Sequence, residues 1–124
     1  MAVKKVTPVV LEGFNKFELD ALTFVAATTA ADGFTIDVSG HADHKILMLF
    51  QNTNSGTTAR TVTVKRGNGL QGVKDLASGD IEAGEVGAVV VESGHFLNVS
   101  GDDKGLLKVV PSHAELKMAC IILP

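Results

Sequence analysis

The sequence predicts an all-β fold: a single-domain β-sandwich of about eight short antiparallel strands. Three observations carry this. Several runs alternate apolar and polar residues with a period of two, the mark of a strand with one buried face. Turn residues recur about every 8–12 positions, the spacing of sandwiches and barrels. No stretch has a convincing helical periodicity over three turns. At 124 residues the chain is one domain by size, and such a domain buries roughly two thirds of its unfolded surface without needing a metal or disulfide staple.

Residues 1–10 are expected to form an N-terminal arm or edge strand, and residues 11–124 the sandwich. The opening MAVKKVTPVV is rich in β-branched residues, and Pro8 confines it to an edge. Leu11–Leu19 is ambiguous between a helical turn and a loop, and Ala21–Thr29 reads as a strand. Ala31-Asp32-Gly33 is a turn signal. Phe34, Ile36 and Val38 share one face of the next strand. Ser39–Asp43 is a loop.

The central stretch, His44 to Arg66, organises the expected fold. Ile46–Phe50 is apolar on both faces, as in a strand covered on both sides. Thr61–Lys65 alternates, with Val62 and Val64 inward. The Asn, Ser, Gly and Thr residues between them suit a loop, and the pair is expected to form a β-hairpin.

After the Gly67-Asn68-Gly69 turn, Leu70–Ile81 is irregular, with Leu70, Val73, Leu76 and Ile81 as expected anchors. Strands follow at Gly87–Glu92, His95–Ser100, Leu106–Val110 and Glu115–Leu123. Turns at Ala83-Gly84-Glu85 and Gly101–Gly105 separate them.

Composition excludes more than it selects. No run reaches the ~20 apolar residues of a membrane span, and the N-terminus is a poor secretory signal. The default is synthesis in a cytoplasm. Cys120 is a lone cysteine in an apolar run, expected to be a buried thiol. A net charge of −3 supplies no electrostatic reason to expect nucleic acid or an anionic membrane as partner. Trp and Tyr are absent, which removes the usual stacking platforms for sugars and single strands and argues against a carbohydrate-binding module.

The strongest chemical constellation is His41, Asp43 and His44, which could ligate a metal with His95 or His113. Its place between two strands favours plain solvation, so no metal site is assigned. Asp80, Glu82 and Glu85, like Asp102 and Asp103, fall in turns rather than a cleft. Ser39, Ser93 and Ser112 each have a nearby His, but local adjacency does not make a triad. Gly67-Asn68-Gly69 lacks the following helix and Lys of a phosphate loop. Lys4, Lys5, Lys65 and Arg66 could converge if the first strand lies beside the hairpin, although lysines that protect a sheet edge are the commoner arrangement. No catalytic residue, metal or cofactor is expected, and the chain does not read as an enzyme.

The order of four segments carries a resemblance: MAVKKVTPVV at 1–10, LMLFQNTNSGTTARTVTVKRGN at 47–68, GHFLNVSGD at 94–102, and MACIILP at 118–124. In these the chain resembles the capsid decoration proteins of tailed bacteriophages, also called cement or head-stabilising proteins. The resemblance implies a jelly-roll-like sandwich on the capsid surface of a virion, made in the bacterial host cytoplasm. It implies the major capsid protein as partner, a symmetric homo-oligomer with a trimer favoured, and no nucleic acid, membrane or catalysis. On this reading Val62 and Val64 are core, and Val3, Lys4, Lys5, Val6, Thr7 and Pro8 form a capsid- or subunit-binding arm. A phage tail or baseplate module is the alternative.

Overall fold

The computed structural model of the chain describes residues 3–11, 24–39, 46–69, 74–90 and 96–123. These form ten strands: β1 Lys4–Val6, β2 Val9–Val10, β3 Val25–Ala26, β4 Phe34–Asp37, β5 Ile46–Asn52, β6 Val62–Val64, β7 Leu76–Ala77, β8 Val86–Val90, β9 Leu106–Pro111 and β10 Leu116–Ile122. A 3-10 turn, Gly101–Asp103, precedes β9. Sheet A has the order β1-β4-β9-β6-β7, and sheet B the order β2-β10-β5-β8, with β3 also paired to β10. The all-β, single-domain expectation holds.

The core lies between the sheets. Sheet A contributes Val6, Phe34, Ile36, Val62, Val64, Leu107 and Val109; sheet B contributes Ile46, Met48, Phe50, Leu116, Met118, Cys120 and Ile122. Every one of these sits at the inward phase of its strand's alternation. Val62 and Val64 are therefore core positions, as their period-two pattern predicts. Gly33 closes the turn before β4 with φ of 65°, and a Cβ there would run into the Val109 carbonyl; only glycine fits.

The expected β5–β6 hairpin does not form. β5 pairs with β10 and β8, and β6 pairs with β9 and β7. The 53–61 segment is an arch from sheet B to sheet A. Its pivot is Asn52, whose side chain turns inward and is 0% exposed. Asn52 Nδ2 donates to the Thr58 and Ile81 carbonyls at 3.0 and 2.8 Å, and its Oδ1 accepts the Asn54 N–H at 2.9 Å. A strand apolar on both faces belongs in the middle of a sheet, and β5 finds its two neighbours far away in sequence. Nearly every connection in the molecule likewise crosses between sheets; β6 and β7 are the consecutive strands that pair directly.

The N-terminal segment departs from the antiparallel expectation. β1 runs parallel to β4, with Val6 beside Ile36. β2 runs parallel to β10, with Val9 beside Ile121. The chain passes from one sheet to the other at Thr7-Pro8, where a residue without an N–H costs no ladder hydrogen bond. One extended segment thus lines the edges of both sheets, and Val6 is 6% exposed within the core.

Other departures are local. Residues 96–100 form bends rather than a strand; they are stitched to the 67–69 turn, with Asn68 bonding the Val99 N–H and the Ser100 carbonyl at 2.8 and 2.9 Å. Gly67 is buried there, and a Cβ would strike the Leu97 carbonyl. Ile81 is an anchor, but Leu76 is exposed. Leu70 and Val73 lie outside the described residues, as does the ambiguous Leu11–Leu19 segment apart from Leu11; of the expected Ala21–Thr29 strand, residues 21–23 lie outside them and the described part pairs only at Val25–Ala26.

Candidate functional site

The two outer faces of the sandwich differ in chemistry. On sheet A the outward positions of β1, β4, β9 and β6 are Lys5, Thr35, Asp37, Leu106, Lys108, Val110 and Thr63, a largely polar set. On sheet B the outward positions are Leu47, Leu49 and Gln51 of β5, Lys117, Ala119 and Ile121 of β10, and Val86, Ala88 and Val90 of β8. Register sets them in rows: Val90–Leu47–Ile121, Ala88–Leu49–Ala119 and Val86–Gln51–Lys117. Seven of these nine residues are apolar, so two of the three rows carry no polar side chain.

Exposure rises toward the β8 margin. Leu47, Leu49 and Ile121 are half-buried, whereas Val86 is 53% and Val90 43% exposed. Among the described residues β8 has no strand on its second side, so half of its main-chain groups point away from the sheet. Natural edge strands are shielded by charge, proline or shortness. β1 carries Lys4 and Lys5; β2 and β3 are two residues long, as is β7, with Lys74 and Asp75 before it and Asp80 close behind. β8 is five residues of Val, Gly and Ala, with no charge or proline inside the strand and with exposed Glu85 just before it. Between β7 and β8 a groove of about 300 Å³ is lined by Leu76, Ala77, Val89 and Val90, with core residues Val62 and Val64 behind them. An apolar face meeting an open, uncharged strand edge is suited to holding another protein chain through buried area and main-chain hydrogen bonds.

The acidic groups do structural work. Glu115 ties the arch to β10: its Oε1 accepts from Arg60 at 2.8 Å and from Asn54 Nδ2 at 3.0 Å. The Asn54 hydrogen bond, then Arg60, holds the Glu115 carboxyl below the usual range. Asp75 takes Lys65 Nζ and the Arg66 N–H, both at 2.8 Å, and these hold it low in the same order. Asp37 is lowered by Ser39. Burial pushes the Cys120 thiol up to about 12, so it is a packing residue rather than a nucleophile.

The remaining residues singled out by sequence fall as follows. His41, Asp43, His44, Ser93 and His95 lie outside the described residues. His113 Nδ1 accepts the Glu115 N–H at 3.1 Å. Ser112 Oγ accepts the Thr61 N–H at 3.0 Å. Asp80, Glu82 and Glu85 are exposed in the turn before β8, and Asp103 pairs with Lys108 at 2.6 Å. Among the described residues no three His, Cys, Asp or Glu side chains converge as a metal site. No helix there is long and apolar enough to cross a membrane. Val3–Pro8 runs along the outer edge of sheet A, with Val3, Lys4, Lys5 and Thr7 exposed. β4 and β9 lie between the strand of Lys5 and β6, so Lys4 and Lys5 do not join Lys65 and Arg66 directly.

Sequence reasoning passed over the β8 surface. The double-sided apolar character of β5 and β10 was its signal. Compared with protein-family models, characterised proteins and solved structures, the chain finds no match in any of the three.

Proposed function

We propose that this chain is a structural virion protein that binds the outer surface of a tailed-phage capsid and stabilises it by bridging major capsid protein subunits. The observation that carries the reading is the apolar outer face of sheet B ending at the unshielded edge of β8. The ordered sequence resemblance to phage decoration proteins supplies the identity of the partner. An extended segment of a capsid subunit adds to β8, and Val86, Ala88, Val90 and Leu47 pack on that subunit's surface. Main-chain pairing tolerates varied side chains, and repetition over a lattice lets each contact be modest while the whole is tight. Val3–Pro8, at the opposite margin, is a second contact toward a neighbouring copy in a symmetric oligomer, with a trimer favoured. The polar outer face of sheet A then faces solvent.

The test is to mix the purified protein with capsids lacking it and follow co-sedimentation. Saturable binding that raises the temperature at which the capsids open supports the proposal. Absence of binding to capsids, with binding to purified tails, would replace it with the tail or baseplate reading.

A further inference from the structure

The Asn68-Gly69 pair carries chemistry of its own. The chain has five asparagines, followed in turn by Lys, Thr, Ser, Gly and Val. Glycine leaves its own backbone nitrogen least hindered and its dihedrals freest, so that nitrogen reaches the side-chain carbon of a preceding asparagine most readily. Asn68 is exposed, so water and hydroxide have access to it. In the folded chain both ends of its side-chain amide are held by a different segment. Oδ1 accepts the Val99 N–H at 2.8 Å, and Nδ2 donates to the Ser100 carbonyl at 2.9 Å. That segment is anchored beside β9 through Asn98, which is buried. The Asn98 N–H and Nδ2 both donate to the Leu106 carbonyl, at 3.1 and 3.0 Å, and the Asn98 carbonyl accepts the Gly105 N–H at 2.8 Å.

We propose that Asn68 is a site of spontaneous deamidation, and that the fold sets its rate by holding or releasing this side chain. In the released state hydroxide takes the Gly69 N–H proton, and the nitrogen attacks Asn68 Cγ. A new N–Cγ bond forms, the Cγ–Nδ2 bond breaks, and Nδ2 leaves as ammonia after taking a proton from water. The five-membered imide then adds water at one of its two carbonyls and opens to aspartate or isoaspartate. One water is consumed and one ammonia released, with no change of oxidation state. The carboxylate formed accepts hydrogen bonds but donates none. The bond to the Ser100 carbonyl is therefore lost, and two oxygens face each other in its place. Isoaspartate also adds a carbon to the main chain next to Gly67, where a Cβ already has no room against the Leu97 carbonyl. The turn does not close again as before, and the change runs one way. The inference does not depend on the capsid reading.

The full chain is incubated at mildly alkaline pH, in buffer and in guanidinium chloride, then digested. Mass spectrometry follows the replacement of amide by acid at residue 68. Two ordinary hydrogen bonds favour the held state enough that the folded chain should react about tenfold more slowly than the unfolded one. Asn98→Ala loosens the 96–100 segment without touching the reacting pair. It should speed the reaction in buffer about threefold and leave the rate in guanidinium chloride unchanged. The deamidated form, separated by anion exchange on its added negative charge, should melt below the parent. The proposal is overturned by a rate in buffer equal to or above that in guanidinium chloride, by a folded Asn98→Ala variant that keeps the parent's rate, or by a deamidated form that melts with the parent. The first comparison uses the unaltered chain, so it decides the matter even where Asn98→Ala does not fold.

Discussion

Replacing Asn52 tests the arch that turns the chain from sheet B to sheet A. Asn52→Leu removes three hydrogen bonds at once, to the Thr58 and Ile81 carbonyls and from the Asn54 N–H. The Ile81 carbonyl keeps the Arg60 N–H at 3.0 Å, so the cost falls on the Thr58 carbonyl and the Asn54 N–H. An unsatisfied buried group costs about 1–3 kcal/mol, and both sites are only partly buried, which sets the loss at about 2–4 kcal/mol. Domains of this kind have about 5–15 kcal/mol in total, so the variant folds but is visibly weakened. In urea, with a slope of about 1.5 kcal/mol/M, the midpoint should fall by about 1.3–2.7 M. Asn52→Asp should be worse at neutral pH, since it sets a buried charge against two carbonyl oxygens. A midpoint shift below about 0.5 M for Asn52→Leu would refute the pivot role and leave the arch to be explained by β5 and β6 pairing alone.

Three further outcomes follow from the same structure. Val62→Asp places an unpaired charge at a core position and should abolish the folded far-UV circular dichroism spectrum; a stable variant would mean that the face assignment of β6 is inverted. Deleting residues 1–8 removes β1, its three pairings with β4 and the buried Val6, so the melting temperature should drop; an unchanged value would mean that the segment does not pair in solution. Asp37, Asp75 and Glu115 have folded pKa values below their ordinary ones. Their stabilisation is therefore full above the ordinary carboxylate range of about 4 and is lost as pH falls through the lowered values. Urea midpoints should be flat from neutrality to about pH 5 and decline below about pH 4; a midpoint that climbs with acid would contradict these contacts.

How far the sequence exposed this fold depends on the range of the interaction concerned. Period-two alternation is local, so the strands at Phe34, Ile46, Val62, Leu106 and Leu116 were legible, and so were the inward residues of those at Phe34 and Val62. Pairing is not local. Asn, Ser and Gly between two strands serve an arch as well as a hairpin, and nothing in 53–61 says that Asn52 will point inward. The parallel pairing of β1 and β2 depends on β4 and β10, one of them at the far end of the chain. The same limit applied to the surfaces. Lys65 and Lys108 become neighbours only through the β6–β9 register, and Gly87–Val90 reads as an ordinary strand until it is seen at the margin of sheet B among the described residues. The outward leucines of β5 were visible in the sequence, but their expected cover turned out to be only partial.

The most direct test of the docking surface is amide hydrogen exchange of the protein free and bound to capsids. Binding through β8 predicts new protection at Val86–Val90, whose open edge then gains hydrogen bonds, while Thr35 and Lys108 on the polar face stay unchanged. Protection confined to sheet A, or none at β8 despite saturable binding, would contradict the account.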